Sequence, residues 1–278
     1  WKVVHRARIE TTVSGTSQTA ETVTTSTKVW NVRKVEPGGT AIFEQFVDDV
    51  DMWQKLTGRM EVRYNSKTDK KPPVGFETVS KSIGVPLSRT TIDSSGKVLK
   101  REHLVAKPQA EHEGLITIPL PESPVAVGET WNFPCDIEVP LDNGGIKRIK
   151  SRQIFTLESV RNGEATIRVA TQILTPVDDP AIEARLMQRD TGGTVTFDIE
   201  EGRVVGQQMD TDKRVIGFRG NASSLHCRTR FTEQWLAQAS QAGDAAKAAT
   251  APPAEKPTTS SAPKSAARTQ PAEAPARK

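Results

Sequence analysis

The feature that most constrains the fold of this chain is an alternating strand pattern that occurs twice in the same register. In residues 1–9, every second side chain lies on one face: Trp1, Val3, His5, Ala7 and Ile9. In residues 131–139, the equivalent positions hold Trp131, Phe133, Cys135, Ile137 and Val139. Strict alternation of this kind is typical of a half-buried β-strand. Its recurrence 130 residues later predicts that one structural unit is present in two copies.

Two further segment pairs favour this duplication. Residues 28–35, followed by Ala41, are similar to residues 152–160, followed by Ala165, and residues 91–98 are similar to residues 197–204. Because the connections between successive strands are short, we expect antiparallel pairing. The sequence therefore predicts a mainly β (α+β) fold of two similar antiparallel curved-sheet repeats, each with a short helix.

Each repeat contains one segment with a helical pattern. In the first, Pro72-Pro73 precedes apolar residues at i, i+3 and i+7, namely Phe76, Val79 and Ile83. In the second, Asp179-Pro180 is typical of an N-cap and first helical position, and it begins a helix predicted to continue to Arg189.

Composition sets the predicted domain boundaries: repeat 1 over residues 1–115, a Pro-rich connector over 116–130, repeat 2 over 131–240 and a tail over 241–278. The tail holds 13 Ala and 6 Pro but no Val, Ile, Leu or aromatic residue. A segment with so little to bury cannot offset the entropy lost on ordering, so we expect the tail to be disordered.

The charge of the chain also depends on this tail. The whole chain has a net charge of +4, but removing residues 241–278, which have six basic and three acidic groups, leaves +1. A nearly neutral folded part gives little electrostatic attraction for nucleic acid, so we predict no nucleic-acid partner. No window approaches the ~18 consecutive apolar residues of a membrane-spanning helix, and we predict no transmembrane segment.

The two cysteines bear on the compartment. Cys135 and Cys227 both lie on apolar faces of predicted strands that begin and end the second repeat. First and last strands often become neighbours when a sheet curls, so we predict a Cys135–Cys227 disulfide, with two buried free thiols as the alternative. A disulfide favours an oxidising, extracytoplasmic compartment: periplasmic, envelope-associated or secreted.

The connector carries the one family resemblance in the sequence. It contains Pro119-Leu120-Pro121 and then the run Pro124-Val125-Ala126-Val127-Gly128-Glu129-Thr130-Trp131. This pattern, Pro-Leu-Pro followed by Pro-Val-x-Val-Gly-x-x-Trp, resembles that of uncharacterised bacterial exported and lipoprotein-like β-rich families. The turns ending Gly96-Lys97-Val98 and Gly202-Arg203-Val204 fit the same pattern. The resemblance implies an extracytoplasmic address and transfers no catalytic residue.

The strongest cluster of potential metal or catalytic side chains lies in one proline-containing loop. His103 and His112 flank it, with Glu111 and Glu113 beside the second histidine. Imidazole and carboxylate groups can bind a metal, but nine residues of loop do not enforce a coordination geometry. We therefore predict no metal, no cofactor and no catalytic residue, and retain a hydrolase with a site near these histidines as an alternative.

The other polar candidates have structural interpretations. We expect His5 to be a core or rim histidine and His226 to lie on the polar face of the last strand. Asp48, Asp49 and Asp51 lack the central glycine of an EF-hand loop and are predicted to form an exposed loop or to cap a short helix near Met52.

These observations favour a non-enzymatic extracytoplasmic domain that binds an apolar ligand in its curved sheet. A protein-interaction or scaffold module of the cell envelope, with the tail as a tether, is the main alternative. The expected partner is accordingly an apolar small molecule or an envelope protein.

Overall fold

The computed structural model describes residues 1–105, 117–141 and 144–237, and these residues form fourteen β-strands and two short α-helices. The strands before the connector are β1 (Lys2–Val13), β2 (Thr16–Val35), β3 (Ala41–Leu56), β4 (Val62–Asn65), β5 (Ser88–Ile92) and β6 (Val98–His103). Those after it are β7 (Thr130–Pro134), β8 (Ile137–Pro140), β9 (Ile146–Ile149), β10 (Ser151–Arg161), β11 (Glu164–Ile173), β12 (Gly192–Asp198), β13 (Arg203–Ile216) and β14 (Ser223–Gln234). The helices are α1 (Glu77–Ser82) and α2 (Pro180–Leu186).

Twelve of the strands form one antiparallel sheet. Its order is β6-β5-β3-β2-β1-β14-β13-β12-β11-β10-β7, with β4 paired to β3 beside this path. Strands β8 and β9 form a separate two-stranded sheet. The pairing of β1 with β14 at the middle of the large sheet joins the two halves of the chain. The predicted mainly β fold with antiparallel curved sheet is confirmed.

Tight turns set the register of the long hairpins. Ser14-Gly15 and Asn162-Gly163 both have positive φ at both positions, which matches the type I′ turn favoured between twisted antiparallel strands. The first turn joins β1 to β2 so that Val13 pairs with Thr16. The second confirms the hairpin predicted from Asn162-Gly163, which joins β10 to β11.

The main core lies on one face of the second half of the sheet, called here the inner face. Cross-strand neighbours on this face are apolar and buried, and they include Phe155, Ile167, Val169, Val195, Met209 and Phe231. Phe155 and Val195 have no exposed surface. Ile118 of the connector is equally buried in this cluster, so the connector also packs against the inner face.

The two helices cover the inner face elsewhere. Phe76, at the N-terminus of α1, packs against Val50 and Tyr64. Helix α2 contributes Ile182 and Leu186 to a cluster with β8 and β9, and its C-terminal neighbour Met187 contacts Val215 and Cys227. The Asp179 carboxylate accepts a hydrogen bond from the Ala181 N–H at 2.8 Å, which confirms the predicted N-cap. Both helices are shorter than the sequence predicted.

The two edge strands of the sheet approach each other through the connector. The ammonium group of Lys97, just before β6, lies 5.7 Å from the ring centroid of Phe133 in β7. The Trp131 indole donates to the Pro119 carbonyl at 2.8 Å, which fixes the connector against β7. Gly96 has a φ of +83°, and a Cβ there would lie 2.5 Å from the Ile118 carbonyl oxygen. Glycine is therefore required where the β5–β6 turn meets the connector.

The strand order bears on the predicted repeat. Strands β6-β5-β3-β2-β1 and β13-β12-β11-β10-β7 follow one another in the same direction along the sheet. The two sequence similarities given above fall on hairpins β2–β3 and β10–β11, and on hairpins β5–β6 and β12–β13. Strand β14 and the β8–β9 pair fall outside this correspondence, and the duplication stays a prediction.

Two local predictions were wrong, and some fall outside the described residues. Residues 131–139, predicted as one strand, are divided between β7 and β8, which belong to different sheets. Asp48, Asp49 and Asp51 lie within β3 rather than in a loop or helix cap, and Asp48 is the extra residue of a β-bulge opposite Thr27 and Lys28. The flanking Val47 and Val50 pack in the core, which holds this polar segment in the strand.

Residues 1–236 form one compact unit. The predicted tail over 241–278 lies outside the described residues.

Candidate functional site

The outer face of the central strands carries four arginines at adjacent positions. In the pairing of β1 with β14, Arg6 is opposite Arg230 and Arg8 is opposite Arg228. Cross-strand partners point to the same side of a sheet, so all four guanidinium groups lie on the face opposite the core. Like charges directly opposite each other destabilise a sheet, so this arrangement requires compensating groups.

Glutamates on β1 and β2 compensate the Arg8 and Arg228 pair. The Arg8 Nε lies 2.7 Å from a Glu10 carboxylate oxygen, and its Nη1 lies 2.9 Å from Glu21. The Arg228 Nη2 reaches the same Glu10 oxygen at 3.1 Å. Glu10 therefore bridges the two opposed arginines.

Strand β13 lies on the side of β14 away from β1, and its aspartates compensate the positive charge of Arg230 and contact His226. Arg230 contacts both Asp210 oxygens, at 2.7 Å through Nε and 3.2 Å through Nη2. This two-point geometry is the strongest form of an arginine–carboxylate pair. Asp212 is instead 2.6 Å from the His226 Nε2, while the His226 Nδ1 faces Glu10 at 3.7 Å.

Arg6 differs from the other three arginines. Among the carboxylates that the structure describes, none forms an ion pair with Arg6, whose side chain is exposed. Its row across the sheet continues on the other side through Val23 of β2 to Trp53 of β3. Arg6 thus lies between a second cation, Arg230, and the apolar side chains of Val23 and Trp53.

The four arginines, Trp53 and the carboxylates Glu21, Asp210 and Asp212 line a depression of about 450 Å³ on the outer face. We call it the arginine groove and include with it Glu10, which bridges Arg8 and Arg228 beside it. The Trp53 indole N–H donates to the Glu61 carboxylate at 3.1 Å, which fixes the orientation of the ring at the edge of the groove.

Ion pairing in the groove favours the charged forms of Glu10 and Arg230. Hydrogen bonds and charge from Arg8, with Arg228 adding to them, lower the pKa of Glu10 below its ordinary value. The hydrogen bonds and charge of Asp210 raise the pKa of Arg230. Both groups are thus held in their charged forms by partners within the protein, whereas no carboxylate in the described part of the chain pairs with Arg6.

An ion pair on the inner face of the same strands has the opposite environment. Lys28 of β2 pairs with Glu233 of β14, with side-chain exposures of 5% and 2%, and Gln207 of β13 donates to the same carboxylate. Burial lowers the pKa of Lys28, and the Glu233 charge opposes this effect. These groups are covered by protein, so we assign the pair a structural role.

The predicted disulfide is absent, and both cysteines are free thiols. The prediction assumed that the first and last strands of the second repeat become neighbours. Strand β14 instead lies between β13 and β1, and four strands separate it from β7. Cys135 follows β7 beside Ser151, with 3.3 Å between Sγ and Oγ, whereas Cys227 is buried against Met187 and Val215.

The histidines named from the sequence do not form a common site. His103 lies at the end of β6, opposite Ser88, while His112, Glu111 and Glu113 lie outside the described residues. His5 is on the inner face opposite Phe231, as expected for a core or rim histidine. His226 lies on the polar outer face, which confirms its predicted placement.

Metal sites and membrane-spanning helices are two other classes of feature that bear on function. Within residues 1–105, 117–141 and 144–237, no three His, Cys, Asp or Glu side chains are grouped as metal ligands would be. In the same part of the chain, no helix has the length and apolar character needed to cross a membrane.

Comparison of the chain with protein-family models, with curated proteins and with solved structures gives no match. The resemblance to exported and lipoprotein-like families therefore stays a prediction, and the groove must be interpreted from its own chemistry. Sequence reasoning missed this groove. Its signal is the pair Arg6-x-Arg8 and Arg228-x-Arg230 at outward positions of the first and last strands, which becomes a site through the β1–β14 register.

Proposed function

We propose that this chain is a non-enzymatic binding protein that holds an anionic ligand in the arginine groove. The observation that carries the proposal is the exposed Arg6 guanidinium, which no described carboxylate pairs and which lies directly opposite Arg230. Guanidinium groups bind carboxylate, phosphate and sulfate through two parallel hydrogen bonds. A sheet that accepts like charges at opposed positions sacrifices stability locally, which is typical of a functional surface.

The arrangement of the titratable groups supports binding rather than catalysis. His226 is the imidazole beside the groove, and imidazole is the side chain that most often transfers protons in enzymes. Its Nε2 contacts Asp212 at 2.6 Å and its Nδ1 is buried, 3.7 Å from Glu10, so neither ring nitrogen is open to a ligand. The arginines and their carboxylates form a fixed, charged surface that can position an anion.

The inner face of the second half gives less support to the apolar ligand expected from the sequence. Phe155, Val195 and Ile118 fill this part of the sheet and have no exposed surface. A ligand there would have to displace close-packed side chains. Apolar binding therefore remains a second outcome of the test below, and an extracytoplasmic address remains part of the proposal that follows from the family resemblance.

The proposal is tested by titration calorimetry of the full chain with citrate, tripolyphosphate, trigalacturonate and palmitate. We expect at least one of the three anions to bind with a Kd below about 1 mM. Arg6→Gln should weaken that binding at least about tenfold, because a charge-assisted bidentate contact is lost.

Arg168→Gln is the matched control, because Arg168 is an exposed arginine that pairs with Glu158 on the same sheet, outside the groove. Equal weakening by both substitutions would mean diffuse charge attraction and would overturn the proposal. Binding of palmitate alone, unaffected by Arg6→Gln, would favour an apolar ligand instead.

A further inference from the structure

We infer that the ligand of the arginine groove is an acidic saccharide, with a carboxylate at Arg6 and a sugar ring on Trp53. This inference rests on the proposed function and specifies the ligand class. Its first support is the balance of charge in the groove. The lining holds four arginines and three carboxylates, Glu21, Asp210 and Asp212, and Glu10 bridges Arg8 and Arg228 beside it, so the surface has little excess of positive charge.

This balance disfavours a densely charged polyanion. A phosphate chain or nucleic acid strand places an anion every few ångströms and gains its affinity from a broad excess of basic groups. Here such a ligand would meet Asp210 immediately beside Arg230 and Glu10 beside Arg8. A ligand with few anions and many hydroxyl groups avoids this repulsion, because hydroxyl groups can donate to the carboxylates and accept from the guanidinium groups.

The row of residues through Arg6 provides the second support. From Arg6 the row passes Val23 and reaches Trp53 two strands away. Neighbouring strands are about 4.8 Å apart, so the Trp53 backbone lies about 10 Å from that of Arg6. A pyranose ring with a carboxylate, joined to a second ring, spans this distance. The apolar C–H face of a sugar packs against an aromatic ring in the way an aliphatic side chain does.

The third support is the fixed orientation of Trp53. Its indole N–H is occupied by Glu61 at 3.1 Å, so the ring is held by the segment between β3 and β4 rather than turning freely. A ring that is already oriented loses little conformational entropy when a ligand stacks on it. Among the described residues, the groove thus combines the Arg6 guanidinium, which has no ion pair, several arginine–carboxylate pairs and the oriented ring of Trp53.

The test uses trigalacturonate, its methyl ester and tripolyphosphate as probes for the full chain. We expect trigalacturonate to bind at least about tenfold more tightly than the uncharged methyl ester, and Arg6→Gln to remove this difference. Trp53→Ala should weaken the binding of trigalacturonate at least about tenfold, because the stacking of the sugar on the indole ring is lost. Arg168→Gln should leave the affinity unchanged, and circular dichroism of each variant will verify the fold.

The outcomes separate this inference from the proposed function. Binding of citrate or tripolyphosphate that depends on Arg6 but not on Trp53, without trigalacturonate binding, would overturn the saccharide assignment and leave the anion groove standing. Trigalacturonate binding that survives both Arg6→Gln and Trp53→Ala would place the sugar elsewhere and overturn the inference. Absence of Arg6-dependent binding for every anion would overturn both.

Discussion

Lys28 and Arg6 are cations on adjacent strands of one sheet, yet they lie in opposite environments. Lys28 faces the core, where protein covers it and it pairs with Glu233, whose carboxylate also accepts a hydrogen bond from Gln207. Arg6 faces outward beside another arginine and has no ion pair in the described part of the chain. The same central strands therefore use charge in two ways: on their inner face it completes the structure, and on their outer face it stays exposed.

The largest effect expected from this comparison concerns aromatic residues on the two faces. Phe155→Ala should lower the free energy of unfolding by about 3–5 kcal/mol, because it leaves a cavity in a site with no exposed surface. Trp53→Ala on the outer face should cost about 1 kcal/mol. Urea denaturation of each variant measures both values, and similar losses would mean that Trp53 is a core residue.

The charged groups should show a similar contrast. Lys28→Met leaves the Glu233 carboxylate buried without its cation, so we expect a loss of about 3–5 kcal/mol. Adding Glu233→Gln to Lys28→Met should recover most of this lost stability, because a neutral amide can still hydrogen-bond Gln207. Arg230→Gln, on the exposed face, should cost less than about 1 kcal/mol. A double variant as unstable as Lys28→Met would contradict this account of the buried pair.

The two thiols provide a chemical test of burial. Burial raises the pKa of the Cys227 thiol, which keeps it protonated, whereas Cys135 is partly exposed. In native protein we expect Cys135 to react with a thiol reagent at least about tenfold faster than Cys227. Mass spectrometry after timed labelling distinguishes the two sites. Protein prepared without reductant that shows no reactive thiol after denaturation would restore the disulfide prediction.

The smallest expected effect is an acid dependence of the groove. Arg8 lowers the pKa of Glu10 below its ordinary value of 4.5 in the folded state. The stabilisation is therefore present above pH 4.5 and is lost as the pH falls through the lower, folded-state pKa. Glu10→Gln should flatten the decline in stability measured by denaturation below pH 4.5, with little effect near neutral pH. An unchanged decline would mean that Glu10 is not held by the arginines.

Local patterns in the sequence predicted much of the fold and little of the site. Alternation identified β1 and, in residues 131–139, two shorter strands, β7 and β8, that it could not tell from one; Asn162-Gly163 identified a hairpin, and Asp179-Pro180 identified the start of α2. These features depend on residues close in sequence. The disulfide prediction was wrong because it required knowing which distant strands become neighbours, and alternation does not carry that information.

The groove was missed for the same physical reason. Arg6 and Arg230 are separated by more than 200 residues and become opposite through the β1–β14 register. Each arginine alone is an ordinary outward-facing residue of an alternating strand. The Asp48 prediction failed differently, since a β-bulge lets polar residues continue a strand that their composition would otherwise end.

The pairing of β1 with β14 also has a kinetic consequence. Contacts between segments so distant in sequence are slow to form, because a long loop must close before they are gained. Until β1 pairs with β14, Arg6 and Arg8 belong to one hairpin and Arg228 and Arg230 to another. A ligand of the groove would therefore recognise completed molecules alone, and by holding the two hairpins together it would slow the reopening of the sheet at its centre.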